Sequence, residues 1–345
     1  MPSRETFAYR RALKLRAQKA VDDSDAAIDS IFTRAQDDFL TFCTLMDKAP
    51  AHHMLEWHKH LITGKSNRYL LDIAGPNLDI LAPRGSAKST VLNMFTAWII
   101  GRHTSKGMPL QIIYCSYNIA TAIPKSRIIK QIIDSTSFKK IFPKVKLKSG
   151  MQSDIGWSID FDYAGIDRVG DEEFTLRAAG LRGSITSKRA HLVIVDDPIK
   201  SSADIKNPAV RDEMNNNWSS VIAPIVFEGG RSICLGTRFH PLDIHKTMFS
   251  PSKGWKQVSQ EALTYDADGD AISYWPEQWS VEYLQQQKEL DPVAFAFQYQ
   301  QQPVMTSDLV LSPDLIVKGE VETEFDSLAV GIDLSASKNE TSDYT

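Results

Sequence analysis

The chain contains 345 residues, of which 42% are hydrophobic and 24% charged, and its formal net charge is −4 at pH 7. This length and composition are typical of a globular protein with one large or two ordinary domains. The net charge and a pI near 6.1 argue against a protein that coats nucleic acid over its whole surface. They leave room for a local basic patch, because DNA affinity depends on the phosphates neutralised at the contact.

Nothing in the sequence predicts a membrane protein or an exported one. No stretch reaches the roughly 18 apolar residues of a membrane span, and the first residues lack the apolar core of a signal peptide. Cys43, Cys115 and Cys234 lie far apart, and two of them fall in apolar, strand-like runs. We expect small core residues in a reducing compartment rather than a disulfide framework or a zinc site.

Two basic clusters are candidates for a DNA-contacting patch. The first consists of Arg4, Arg10, Arg11, Lys14, Arg16 and Lys19. The second consists of Lys139, Lys140, Lys144, Lys146 and Lys148, without an acidic residue among them. A solvated surface face explains either cluster at least as well as DNA binding does.

Residues 1–48 are charged and helix-prone, and predict an N-terminal helical arm. Alternating strand-like and helix-like runs follow from about Tyr69. They predict strand 78–81, helix 89–100, strand 111–116, helix 119–133, a hairpin pair 157–163 and 174–178, and strands 192–195 and 231–236. Apolar strands separated by helices predict an α/β core over residues 49–239, with a mainly parallel sheet covered on both faces.

The periodic pattern weakens after residue 239. Residues 255–263 predict one more strand and residues 281–290 a helix, so we interpret residues 240–305 as a small lid or linker subdomain. Residues 306–345 form a final segment, in which an apolar strand over 328–332 ends in Asp333.

A Lys-Ser pair stands where an apolar run ends and a helical run begins, the place for a phosphate-binding loop. The standard pattern G-x-x-x-x-G-K-[ST] lets backbone N–H groups surround phosphate. Here Ala82 and Ala87 occupy both glycine positions, with Gly85 inside the loop. We expect Lys88 to hold the β and γ phosphates of ATP and Ser89 to bind Mg²⁺; the alternative is an ordinary strand–turn–helix corner. The predicted nucleotide-binding residues are Ala82, Pro83, Arg84, Gly85, Ser86, Ala87, Lys88, Ser89 and Thr90.

A second motif places two acids after the apolar strand 192–195. Asp196 is predicted to hold the Mg²⁺ ion, and Asp197 stands where a glutamate usually activates water. Aspartate is one methylene shorter than glutamate, so the attacking water would lie closer to the backbone of Asp197 or be held together with another group. By itself the motif also fits a strand that ends in a turn; together with the loop it favours nucleotide hydrolysis.

Several motifs together resemble the large terminase subunit of tailed bacteriophages, the motor that pumps double-stranded DNA into a capsid. They are Pro-Arg-Gly-Ser-Ala-Lys-Ser-Thr at 83–90, Leu-Arg-Gly at 181–183, Leu-Gly-Thr-Arg-Phe-His at 235–240, Trp-Pro-Glu-Gln-Trp at 275–279 and Phe-Gln-Tyr-Gln-Gln-Gln-Pro at 297–303. The last two, which resemble the family's linker into its nuclease half, are the most specific, because generic helicases do not carry them. The resemblance covers roughly residues 50–345 and implies a P-loop NTPase core of the RecA/ASCE type.

The same family places an RNase H-like nuclease after the motor. Residues 330–335 resemble its first strand, so the resemblance implies that Asp333, with Asp343, binds Mg²⁺ or Mn²⁺ for DNA cleavage. Two-metal cleavage needs three or four carboxylates around the ions. We therefore expect nuclease activity only in a longer protein.

Three arginines compete for the charge-stabilising role at the γ phosphate. Arg84 lies in the loop and would act within one subunit, whereas Arg182 is placed to project towards a neighbouring subunit of a ring. Arg238 ranks third, as a residue of a salt bridge, and a salt bridge explains Arg182 equally well. Thr237 lies in the segment that resembles the family's coupling motif, and we count it with Asp197, Arg84 and Arg182 as a candidate catalytic residue.

Histidines cluster in residues 52–60, and others follow the coupling motif. No spacing among them imposes the geometry of a metal site. We expect the segment 52–60, with Trp57, near the adenine pocket, where an aromatic face can stack.

The favoured hypothesis is an ATP-driven motor that moves double-stranded DNA into a procapsid, in the host cytoplasm during virion assembly. The resemblance implies a portal protein and a small terminase subunit as partners, and a homo-oligomeric ring, a pentamer, whose subunits are monomeric when free. One alternative is a nucleic-acid-stimulated ATPase or helicase without a packaging role, against which the motifs at 275–303 and Asp333 argue. The other is a non-hydrolysing ATP-binding adaptor, against which Lys88, Ser89 and the two acids argue.

Overall fold

The computed structural model describes residues 25–166, 174–183, 185 and 189–303. Its centre is an eight-stranded sheet in the order β3-β4-β5-β2-β6-β7-β1-β8, and β9 and β10 form a separate antiparallel pair. The strands are β1 (Leu78–Leu81), β2 (Ile112–Ser116), β3 (Leu147–Gln152), β4 (Gly156–Ile159), β5 (Leu176–Gly180), β6 (Ala190–Asp196), β7 (Val226–Gly236), β8 (Lys256–Ser259), β9 (Leu263–Tyr265) and β10 (Ala271–Ser273).

The sheet is parallel from β5 to β8. Only its far edge, β3 and β4, pairs antiparallel within the described residues. Every residue of β1 and β2 is buried, as expected for strands covered on both faces. One strand, β7, lies between β1 and the acidic strand β6, which is the order of the ASCE class of P-loop NTPases. The predicted α/β fold with a mainly parallel sheet is confirmed.

Helices cover both faces of the sheet. They are α1 (Asp25–Asp37), α2 (Phe39–Leu45), α3 (His52–Leu61), α4 (Lys88–Ser105), α5 (Ile119–Asp134), α6 (Thr136–Ile141), α7 (Phe161–Ala164), α8 (Ser202–Ile205), α9 (Pro208–Asn217), α10 (Ile244–Thr247), α11 (Val281–Leu290) and α12 (Pro292–Gln298). One core contains Phe95 and Trp98 of α4, a second contains Trp218, Phe249 and Trp255, and a third, smaller one contains Leu284 of α11 and Phe295 of α12. Among the described residues no helix has the length and apolar character of a membrane span.

The described part of the predicted N-terminal arm packs into the first core. Phe39 and Phe42 are buried, and the ring centroid of Phe39 lies 5.3 Å from that of Trp98. The indole N–H of Trp98 donates to the carbonyl of Ala35 at 3.0 Å. Tertiary packing therefore stabilises short helices that would be marginal alone.

Some predicted boundaries differ from the structure. The strand predicted at 255–263 ends at Ser259: it is β8, which extends the main sheet beside β1, and a separate strand, β9, begins at Leu263. The core sheet therefore reaches Ser259, past the predicted end of the core at residue 239. The predicted strand 157–163 ends at Ile159 and is followed by α7, although its antiparallel pairing with β5 is confirmed. The first basic cluster and the candidate ligands Asp333 and Asp343 lie outside the described residues.

Candidate active site

Three segments meet at the carboxyl edge of the parallel strands: the loop after β1, the acids at the end of β6, and Thr237 after β7. The N–H of Ala82 donates to the carbonyl of Gly236, and the N–H of Asp197 donates to the carbonyl of Leu235, each at 2.9 Å. β7 thus joins the loop to the acids by backbone hydrogen bonds. This edge is where open parallel sheets usually bind ligands.

The loop has the left-handed backbone that its glycine pattern requires, although one position is alanine. Gly85 has φ +75°, and Ala87 has φ 62° directly before the first residue of α4. A left-handed conformation costs a non-glycine residue about 1–2 kcal/mol. Strain of this kind persists where the surroundings impose it and is frequent at ligand sites. Ala87 therefore keeps the loop geometry without the usual glycine.

The ammonium group of Lys88 is held inside the loop. Its Nζ donates to the carbonyls of Ala82 (3.2 Å) and Pro83 (2.9 Å) and to Oγ1 of Thr237 (2.9 Å). It also lies 3.8 Å from Oδ1 of Asp197, and the Lys88 side chain is only 6% exposed. The structure thus brings together the predicted loop, the predicted base and Thr237 around one buried cation.

Asp196 is fully buried at the end of β6. Its Oδ1 accepts from Oγ of Ser89 at 2.9 Å, and its Oδ2 accepts from the hydroxyl of Tyr114 at 3.0 Å. Burial raises the pKa of the Asp196 carboxyl, and the charge of Asp197 adds to the rise. The charge of Lys125 and the hydrogen bond from Ser89 oppose that pKa rise. A hydroxyl and a carboxylate are oxygen ligands that Mg²⁺ accepts, so the side chains of Ser89 and Asp196 fit the predicted ion.

Lys125 belongs to the site, although no sequence motif indicated it. Its Nζ lies 2.9 Å from Oδ2 of Asp196 and makes a short hydrogen bond to Oγ of Ser89. Lys125 lies in the first half of α5, which starts just after β2, so the topology brings it to the carboxyl edge. Lys88 and Ser89 are the loop residues next to the acid of β6. We call these two residues, together with Lys125 and Asp196, the acidic end of the loop.

Asp197 differs from its neighbour in both backbone and exposure. Its φ is 47°, a region that aspartate tolerates better than most residues. Its side chain is 45% exposed, whereas Asp196 is 0% exposed. A half-exposed carboxylate beside Lys88 can accept a proton from a water molecule near bound phosphate, so this position is compatible with the predicted general base.

The other end of the loop contacts both motifs that were predicted as a linker. The N–H of Arg84 donates to the carbonyl of Gln298 at 2.8 Å, and its guanidinium donates to Oε1 of the same residue at 3.2 Å. A Cβ at Gly85 would lie 2.6 Å from Cζ2 of Trp279. We call Arg84, Gly85, Trp279 and Gln298 the lid end. One nitrogen of the Arg84 guanidinium is thus bonded to Gln298, and its other N–H donors are left for a further acceptor.

The other candidate arginines form salt bridges within the chain. Arg182 is 34% exposed and lies 2.8 Å from Oε2 of Glu213, and it donates to the hydroxyl of Tyr117 at 3.0 Å. Glu213, followed by Tyr117, raises the pKa of Arg182. Nε of Arg238 lies 2.9 Å from Oδ2 of Asp243, and its side chain is 13% exposed. The ion pair predicted for Arg238 is confirmed, and a role of Arg182 towards a neighbouring subunit stays a prediction.

The segment predicted near the adenine lies against the loop, but its tryptophan is enclosed. Trp57 is 0% exposed, so the prediction that its ring stacks on adenine is wrong for this conformation. Nε2 of His53 lies 3.2 Å from the carbonyl oxygen of Ser86. The His53 ring centroid is 5.0 Å from those of Tyr274 and Trp275. The segment therefore contacts the loop backbone through His53.

A buried ion pair connects β1 to the residues that follow the coupling segment. Oδ1 of Asp79 lies 3.0 Å from Nδ1 of His245, and Nε2 of Gln257 donates to Oδ2 of Asp79 at 2.9 Å. Burial disfavours a charge on His245, but Asp79 outweighs this effect and raises the pKa of the imidazole. The strand that carries the loop is thus joined to α10 by a buried hydrogen bond between Asp79 and His245.

Comparison with known proteins adds structural neighbours. No protein-family model matches the chain, and no curated protein matches it by sequence. Its structural neighbours include phage large terminases. They include a mutant of the large terminase ATPase domain of Thermus phage P74-26 (12% identity, TM-score 0.47), with 76% of this chain and 98% of that chain covered.

Two further neighbours are longer proteins. The large terminase of a thermophilic bacteriophage, in complex with ADP, has 9% identity and a TM-score of 0.43, with 76% of this chain and 57% of that chain covered. The HK97 bacteriophage large terminase has 15% identity and a TM-score of 0.37, with 66% and 47% covered. The chain thus spans about half of these terminases.

Proposed function

We propose that this chain hydrolyses ATP at the loop between β1 and α4 and is the motor part of a phage terminase large subunit. The observation that carries the ATPase proposal is the joint position of Lys88, Ser89 and the two acids. Lys88 contacts Thr237 at 2.9 Å and lies 3.8 Å from Asp197, and Ser89 donates to Asp196 at 2.9 Å. A strand–turn–helix corner without a ligand would not need a buried lysine beside one carboxylate and a serine hydroxyl on the other.

Each side chain has a specific task in this proposal. Lys88 exchanges its carbonyl acceptors for the β and γ phosphate oxygens, whose charge makes them stronger acceptors. Asp197 accepts the proton of the attacking water. Mg²⁺, held by Ser89 and Asp196, would offset the negative charge on the phosphates. Thr237 links Lys88 to β7 and is suited to transmit changes at the phosphates to the following segment.

The assignment to DNA packaging rests on the motif resemblance. Double-stranded DNA, the portal protein, the small terminase subunit and a pentameric ring in the host cytoplasm are parts of the same proposal. A metal-dependent nuclease that includes Asp333 and Asp343 is proposed for a longer protein only.

The test measures phosphate release by the purified chain with and without double-stranded DNA, together with strand unwinding. We expect ATP hydrolysis that DNA stimulates, without unwinding. Unwinding would favour a helicase, and ATP binding without phosphate release would favour an adaptor. Packaging itself is tested with the longer protein, the small subunit and portal-bearing procapsids, in which DNA should become resistant to added nuclease.

A further inference from the structure

Lys125 is the cation that balances the buried carboxylate of the acidic end. Asp196 is fully buried, and a buried charge is costly unless a partner compensates it. Lys88 does not supply this partner, because its described contacts are with the loop carbonyls, Thr237 and Asp197. The Lys125 ammonium lies 2.9 Å from the Asp196 carboxylate.

The position of this ammonium coincides with the place proposed for the metal ion. Nζ of Lys125 contacts both Oγ of Ser89 and Oδ2 of Asp196, and these two side chains are the proposed Mg²⁺ ligands. An ammonium and Mg²⁺ cannot both occupy the space between a hydroxyl and a carboxylate. The Lys125 side chain is 25% exposed, so the ammonium can move towards solvent without crossing the core.

We propose that Lys125 is a displaceable counter-ion, which holds the metal position while nucleotide is absent and leaves it when Mg²⁺ arrives together with ATP. This inference rests on the ATPase proposed above and adds a form of regulation to its site. It gives the site a preference for the Mg²⁺·ATP complex over the free ion.

The charges explain that preference. Lys88 and Lys125 balance Asp196 and Asp197, so the four side chains are neutral together. Free Mg²⁺ would add charge to this neutral group and separate the ammonium from its carboxylate partner. Mg²⁺·ATP brings phosphate anions with the metal, and these offer the displaced ammonium a new partner. Lys125 therefore suppresses binding of the metal alone and permits binding of the complex.

The test measures Mn²⁺ binding to the purified protein without nucleotide, by electron paramagnetic resonance. Lys125→Met keeps an unbranched side chain and removes the charge. We expect Mn²⁺ to bind at least about tenfold more tightly to Lys125→Met than to the wild type, because a neighbouring positive charge has been removed. Combining Lys125→Met with Asp196→Asn should abolish this gain.

Lys130→Met is the matched control. Lys130 lies on the same helix and forms an ion pair of comparable length, 3.0 Å to Asp154, with a side chain that is 14% exposed. Its removal should leave Mn²⁺ binding unchanged. A gain in Lys130→Met equal to that in Lys125→Met would overturn the inference, because it would reflect a general loss of positive charge.

A second comparison separates the role of Lys125 from metal binding by the nucleotide itself, whose phosphates also bind Mn²⁺. The gain in Mn²⁺ affinity on adding a non-hydrolysable ATP analogue should be at least about tenfold larger in the wild type than in Lys125→Met. Equal gains in both proteins would overturn the role of Lys125. Because these experiments measure metal binding, such a failure is distinct from failure of the proposed ATPase, which would appear as an absence of Lys88-dependent hydrolysis.

Discussion

The acidic end and the lid end of the same loop are held by different kinds of contact. At the acidic end, Lys88 is 6% exposed and Asp196 is 0% exposed, and their hydrogen bonds involve charged groups. At the lid end, Arg84 and Gly85 are exposed, and the N–H of Trp279 reaches the carbonyl of Gly85 only at 3.4 Å. Hydrogen bonds of charged groups are stronger in buried surroundings than at exposed positions such as the Arg84 guanidinium, which donates to Gln298. We therefore expect the acidic end to keep its backbone geometry when nucleotide binds, and the lid end to open more easily.

Removal of Lys88, at the acidic end, should have the largest effect on ATP hydrolysis. Lys88→Ala is expected to abolish ATP hydrolysis, because it removes the buried cation that faces the terminal phosphates. The measurement is steady-state phosphate release, with circular dichroism to establish folding. Lys130→Ala is the control and should retain wild-type turnover. Near-normal turnover of a folded Lys88→Ala protein would refute the phosphate-binding loop.

Substitution of Arg182 tests whether the acidic end needs an arginine from a neighbouring subunit for hydrolysis. If Arg182 acts on a neighbouring subunit, assembly should raise the rate by roughly 10³–10⁵-fold, as for arginine fingers supplied in trans. Mixed Arg182→Ala and Lys88→Ala subunits should then recover activity, since each supplies the group that the other lacks. The measurement is turnover against protein concentration and mixing ratio. A concentration-independent rate without recovery would instead favour Arg84 acting within one subunit.

Substitutions of the two acids should affect nucleotide binding and ATP hydrolysis separately. Asp197→Asn should lower turnover by about 10²–10⁴-fold, the usual contribution of a general base, with nucleotide affinity largely kept. Asp196→Ala should weaken Mg²⁺-dependent nucleotide binding, because it removes the buried carboxylate. Turnover and equilibrium nucleotide affinity are measured for both variants. Normal hydrolysis by Asp197→Asn would place the base elsewhere.

The lid end should give the smallest effects. Trp279→Ala is expected to raise KM for ATP by no more than about tenfold, or about 1.4 kcal/mol, with little change in kcat, because it removes the indole that packs on Gly85 and leaves Lys88 and the two acids in place. Gly85→Ala should be worse, since it adds a left-handed alanine and a close approach to Trp279. Kinetics of both single variants and the double variant test this. A kcat loss in Trp279→Ala as large as that of Asp197→Asn would show that the lid end takes part in chemistry.

Local patterns predicted the elements that carry their own signals. β1 and α11 have the predicted bounds, because three apolar residues, Leu78, Ile80 and Leu81, mark the first, and Ser280 caps the second by accepting from the Tyr283 N–H. The loop was predicted despite Ala87, because its position between a strand and a helix outweighs a missing glycine.

The features that escaped prediction depend on tertiary contacts. Lys125 has no motif around it, and only the pairing of β2 with β6 brings its helix to Asp196. β8 was predicted only as part of a longer strand, and nothing in its half-exposed sequence indicates that it pairs with β1 in the main sheet. The closure of Trp279 on Gly85 joins residues 194 positions apart, a separation that no local pattern can reveal.

The most direct measurement is a structure of this chain with Mg²⁺ and a non-hydrolysable ATP analogue. We expect the terminal phosphates within about 3 Å of the Lys88 ammonium, the metal between Ser89 and Asp196, and the Lys125 ammonium away from the position it now occupies. Nucleotide bound elsewhere, or phosphates at the loop that leave the Lys88 ammonium on its carbonyls, would contradict the account.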